Sequence, residues 1–239
     1  MQIKYFEKGF NYSQDGQGNR LVYHLQGCNM KCPWCSNPEG MKCDANAHCS
    51  SINELAEEIK GCMPMFFDGG GVTFTGGECS LQYKALLELI EILKESGISV
   101  AIETNASTDG FLPLANRCDI VILDYKHPDA EKLKIITGGA LSLIEENIKR
   151  ILKEKYLHIR IPLIHGFNDS DMDFESFKRF FSSLSGEFDV EILEYHEYGK
   201  GKWEQIGLEY MVTNGYVSPE RVQKLKEILE EINVKIIKT

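Results

Sequence analysis

Cys28, Cys32 and Cys35 fall at Cys-x3-Cys-x2-Cys spacing in the stretch GCNMKCPWCSNPEG, three thiols within eight positions. Thiols so concentrated in a reducing compartment point to metal ligation rather than to a disulfide framework. A structural zinc site takes four tetrahedral ligands, usually as two pairs, so a fourth would have to come from Cys43, His48, Cys49 or Cys62. A [4Fe–4S] cubane normally takes four thiolates, one per iron. With only three, one iron keeps an open position for a small chelating molecule, as the metal in a catalytic zinc site does. Gly27 and Pro33 suit a tight loop wrapped around one cluster.

The elements that must position such a loop are written as short apolar runs alternating with amphipathic segments. Strands are expected at 21–26, 72–75, 98–103, 120–125, 157–163, 190–194 and 234–237. Helices are expected over 52–59, 81–96, 143–155, 171–183 and 218–232. Ser51 with Glu54 forms a capping box for the first, and Ser218 and Pro219 occupy the N-cap and N1 positions of the last. Six or seven βα units imply an α/β fold with a parallel sheet, either doubly wound or a closed or partial barrel.

Chemically capable residues gather just after these strands. The three cysteines follow the first and Gly76-Gly77-Glu78 the second. Glu103, Thr104 and Asn105 follow the third, Asp124 and Lys126 close the fourth, and His196 follows the sixth. Arg160 lies on the fifth. In parallel βα architectures the carboxyl ends of the strands converge, so these groups could share one site.

The cysteine triplet, with the aromatic Trp34 before its third member, resembles the hallmark of the radical S-adenosylmethionine superfamily. Other motifs resemble those of the enzymes that activate glycyl radical enzymes, of the pyruvate formate-lyase activating type. Asp15-Gly16 through Arg20 is similar to D-G-x-G-x-R, and Gly76-Gly77-Glu78 to S/T-G-G-E. Asp124-Tyr125-Lys126-His127 is similar to D-x-K-H, Arg160-Ile161-Pro162 to R-x-P, and Glu194-Tyr195-His196 to L-x-Y-H. Lys202-Trp203 through Gly207 and Tyr210 is similar to K-W-x-x-x-G-x-x-Y. The resemblance runs from Asp15 to the C-terminus.

It implies a partial (β/α)6 barrel, taken as one domain over residues 1–239, with a [4Fe–4S] cluster on the three cysteines and S-adenosylmethionine on its open iron. Reductive cleavage would yield a 5′-deoxyadenosyl radical that abstracts hydrogen from a backbone glycine of a partner glycyl radical enzyme. Gly76, Gly77 and Glu78 would face the methionyl amine. Glu103, Thr104 and Asp124 would surround its carboxylate, with a monovalent cation a further expectation. Lys126 and Arg160 would add positive charge, and His196, with Trp34, would complete the cofactor surroundings. Asp15, Gly16 and Arg20 are candidates for holding the incoming glycine loop. No general base is needed, in keeping with the absence of a Ser-His-Asp pattern. Flavodoxin or ferredoxin is the implied electron donor, and a monomer is expected. The SNPEG segment is shared with activases carrying a ferredoxin-like insert, but the repeated cysteine runs of that insert are missing, so a single cluster is expected.

Two alternatives stay open: a radical enzyme modifying another peptide or a small molecule, and a zinc-stabilised binding module. The 239 residues carry a formal charge of −10 and 43% hydrophobic residues, which allows a sizeable core and makes a nucleic-acid partner a poor expectation. No membrane-length apolar run and no signal-peptide pattern are apparent, so a cytoplasmic location is expected.

Overall fold

The structure is a computed structural model that describes residues 1–42 and 47–238. Cys43, weighed above as a metal ligand, lies outside the described residues. The chain forms two compact units, Met1–Asn29 with Glu39–Ile122, and Met30–Pro38 with Leu123–Thr239.

The first unit contains β1 (Gln2–Tyr12), β2 (Asn19–Leu25), β3 (His48–Ser51), α1 (Ile52–Gly61), β4 (Gly71–Gly76), α2 (Tyr83–Glu95), β5 (Ser99–Thr104), α3 (Phe111–Ala115) and the start of β6 (Ile120–Asp124). Its strand order is β3-β1-β2-β4-β5-β6. β2, β4 and β5 run parallel, with Arg20 opposite Gly71 and Gly71 opposite Ser99 at their amino ends. β4 is buried along nearly its whole length, as expected of a parallel strand covered on both faces. The Ser51–Glu54 capping box closes as read from the sequence. The apolar stripe Leu86, Leu89, Ile90 and Leu93 of α2 is fully buried, each side chain contributing about 1.5–3 kcal/mol.

The second unit takes in the end of β6, then α4 (Ala130–Thr137), α5 (Leu141–Ile151), β7 (Leu157–Leu163), α6 (Asp171–Ser182), β8 (Phe188–Glu194), α7 (Lys200–Gln205), α8 (Pro219–Glu230) and β9 (Lys235–Ile237). β7, β8 and β9 are parallel neighbours. Phe177, Phe180 and Phe181 of α6 pack around Tyr125, whose ring stacks on Phe180 at 4.4 Å. Ser218 caps α8 with Pro219 at its first turn.

Every expected strand and helix is present, with ends shifted by a few residues. Two strands were not legible. β1 carries only Ile3 and Tyr5 as buried positions, and β3 is four residues long. β1 pairs antiparallel with β2, and β3 pairs antiparallel with β1, so the sheet is not wholly parallel. Among the described residues no helix is long and apolar enough to cross a membrane.

Candidate functional site

In the first unit the carboxyl ends of β2, β4 and β5 carry the expected groups. Three backbone segments meet beyond β2: Gly27 N donates to Gly40 O at 2.8 Å, and Glu78 N donates to Gly27 O at 2.7 Å. A Cβ on Gly77 would lie 2.1 Å from Gly27 O and 2.7 Å from Gly40 O. Gly76 has φ +105°, and a Cβ there would lie 2.3 Å from Leu25 N. Both positions therefore require glycine, and the crossing fixes the backbone from which the half-buried Cys28 extends.

Glu78 is fully buried. Its carboxylate accepts from Ser80 N at 3.0 Å, Thr104 Oγ1 at 2.7 Å and Asn105 N at 2.7 Å, and from the Ser80 hydroxyl. The carboxylate thus ties the exit of β4 to the exit of β5. Glu103, half-buried, accepts from Thr75 Oγ1 at 2.7 Å. Asn105 Nδ2 donates to Asn29 Oδ1 at 2.9 Å, and Asn29 Nδ2 donates to Ser107 Oγ at 2.8 Å. Asn29, Ser80 and Ser107 were missed by the sequence reading, because a short polar residue in a loop has no periodicity to mark it.

In the second unit Cys32 is buried, Cys35 is half-buried, and Trp34 packs on Phe167 at 4.6 Å between ring centres. Among the described residues the cysteines form no disulfide. Lys126 Nζ lies 2.6 Å from Asp124 Oδ2. His127 is fully buried, with Asp129 N donating to its Nδ1 at 2.8 Å and its Nε2 2.8 Å from Phe167 O. It therefore donates from Nε2, and burial lowers its pKa. Asn168, also missed, donates to Lys126 O and Pro162 O at 2.8 Å each and accepts from Ile164 N. Arg160 Nε donates to Glu191 Oε2 at 2.9 Å. His196 stacks on the exposed Tyr198 at 4.3 Å, and burial lowers its pKa.

Asp15, Gly16 and Arg20 are the expected holders of the incoming glycine loop. They lie on the β1–β2 turn, at the amino end of β2, whereas Cys28 follows its carboxyl end. Seven strand residues separate the two ends by about 20 Å. Arg20 is fully buried: its Nε donates to Thr73 Oγ1 at 2.7 Å and its Nη2 to Val72 O at 2.7 Å and Ser99 O at 3.1 Å. Burial lowers its pKa to about 10. Thr73 Oγ1 in turn donates to Asp15 O at 2.7 Å. The guanidinium thus fixes the turn and the amino ends of β4 and β5.

Residues 22–177 match the Radical SAM superfamily. The chain is 32% identical over 229 residues to the pyruvate formate-lyase-activating enzyme of Staphylococcus epidermidis, covering 92% of this chain and 90% of that one. Among solved structures it is similar to a domain of pyruvate-formate lyase-activating enzyme from Bacteroides vulgatus, with TM-score 0.59 and 26% identity over 71% of this chain and 98% of the other. A radical SAM methyltransferase from Sphaerobacter thermophilus shares the fold, with TM-score 0.69 and 16% identity over 97% of this chain and 68% of the other. The α/β architecture is accordingly of the partial (β/α)6-barrel type. The cysteine triplet, the glycine crossing beyond β2 and the match over residues 22–177 agree, and the chain belongs to the radical SAM superfamily.

Proposed function

We propose that this chain activates a glycyl radical enzyme, with Cys28, Cys32 and Cys35 as the thiolates of one [4Fe–4S] cluster. The observation that carries the reading is the 32% identity, sustained over 92% of the chain, to a pyruvate formate-lyase-activating enzyme. The donor set fits the group: the thiols are outside disulfides, and the first lies beside a backbone crossing that only glycines can make. When bound, the cluster and S-adenosylmethionine supply one-electron cleavage of the S–C5′ bond and hydrogen abstraction from the glycine.

The chain's own residues hold and orient. The rigid Gly76-Gly77 backbone, locked through Glu78, offers polar groups to the methionyl amine. Glu103, Thr104 and Asp124 are assigned to the carboxylate side, where a monovalent cation would also find hard oxygen ligands. Lys126 and Arg160 contribute positive charge there. His196, whose lowered pKa keeps it neutral near pH 7, offers a flat face to the nucleoside. Trp34, packed on Phe167, is assigned to the cofactor surroundings beside the cysteine loop. The same reading takes the chain as a single monomeric catalytic domain served by flavodoxin or ferredoxin.

Anaerobic incubation with S-adenosylmethionine, a reductant and candidate glycyl radical enzymes tests it. A glycyl doublet in the electron paramagnetic resonance spectrum, with 5′-deoxyadenosine formed, is the expected result. Cofactor cleavage with no glycyl signal across the candidates would shift the assignment to another peptide or a small molecule.

A further inference from the structure

The K-W-x-x-x-G-x-x-Y run has no part in the site described so far, yet its Lys202 and Trp203 bond to the cysteine loop. Trp203 is buried, and its indole Nε1 donates to the carbonyl oxygen of Cys35 at 2.9 Å. One residue earlier, Lys202 Nζ donates to Asn37 Oδ1 at 3.0 Å. Asn37 N in turn donates to Cys35 Sγ at 3.4 Å. Gly199, just before α7, comes so near the loop that a Cβ there would lie 2.6 Å from both Cys35 O and Ser36 Cα. Gly207, at φ +70°, ends the helix. Tyr210 packs edge-on against Trp203 at 5.8 Å, and its hydroxyl lies 2.8 Å from that of Tyr195.

We infer that α7 is a clamp on the cluster-binding loop, with Trp203 and Lys202 as positioning residues for the third thiolate. This rests on the reading of Cys35 as a cluster ligand. The indole fixes the Cys35 backbone, and the Lys202–Asn37 contact holds the amide that donates to the sulfur. Hydrogen bonds to cluster sulfurs draw charge from the thiolate and tune the potential, and partners outside the ligand set typically change metal affinity by about 10- to 100-fold. The motif would therefore serve cluster retention and potential rather than contact with the protein substrate.

The test uses anaerobically reconstituted full-length chain with Trp203→Phe, which keeps an aromatic ring without the donor, and Lys202→Met, which keeps the alkyl stem. Iron release to a chelator, the spectrum of the reduced cluster and its midpoint potential are read beside the melting temperature of the iron-free chain. Supporting results are release about 10-fold faster from Trp203→Phe, or a more negative potential in Lys202→Met, with iron-free melting unchanged. Should Trp203→Phe fail to fold, Lys202→Met decides alone. Retention, spectrum and potential all at wild-type values would overturn the clamp while leaving the proposed function standing. A wild-type chain that takes up no iron would overturn both.

Discussion

Glu78 has no exposed surface, yet four donors from three neighbouring residues converge on its two oxygens. Replacing it with Gln turns one acceptor end into a donor facing donors, which leaves at least one buried polar group without a partner. Such a loss costs about 1–3 kcal/mol. Glu78→Gln is expected to lower the urea midpoint accordingly and, on the proposed cofactor role of the Gly76-Gly77 backbone, to raise the KM for S-adenosylmethionine more than it lowers kcat. Equal KM values in the two proteins would mean that Glu78 acts on the fold alone. The neighbouring Cys79 is fully buried, and burial next to Glu78 pushes its thiol pKa up, so it stays protonated and unsuited to ligation.

β7 and β8 lay a charged network across their parallel register. His158 is opposite Asp189 and Arg160 opposite Glu191. His158 Nδ1 contacts Asp189 Oδ1, its Nε2 lies 3.3 Å from Glu191 Oε2, and Tyr156 OH donates to Asp189 Oδ2 at 2.6 Å. Burial by itself would lower the imidazole pKa, and Arg160 opposes its charge, but hydrogen bonds to Asp189 and Glu191 outweigh both and raise it above 6.5. The stabilisation from the charged ring is therefore complete below about 6.5 and is lost as pH rises through the higher folded-state value. His158→Gln is expected to cost about 1.5–3 kcal/mol near pH 6, with the gap to wild type narrowing towards pH 9 in urea melts. A gap that stays constant with pH would show that folding leaves the imidazole pKa unshifted. His158 could not be picked out from the sequence, because its partners lie 31 and 33 residues away and only the β7–β8 register brings them to it. The strands themselves were legible as apolar runs, and the α1 and α8 starts as local capping chemistry. β1 was not, because its pairing with β2 and not its own burial makes it a strand.

For the whole chain, a group that binds the folded state and not the unfolded state must stabilise it. Anaerobic reconstitution is expected to raise the melting temperature, by roughly 2–4 °C for each kcal/mol of coupled binding energy in a chain of this size. An iron-loaded chain melting with the iron-free one would mean that the cluster is held outside the folded structure. The sequence by itself determined the βα alternation, the three thiols and the place of the polar residues after the strands, because periodicity, spacing and capping are local properties. Tertiary structure decided what each polar group touches. It turned Arg20 into a buried brace at the amino ends of β2, β4 and β5, made Glu78 a lock between two strand exits, and brought Trp203 to Cys35 across 168 residues. Those outcomes depend on strand direction, register and close backbone approach, which are set only when distant segments pack together.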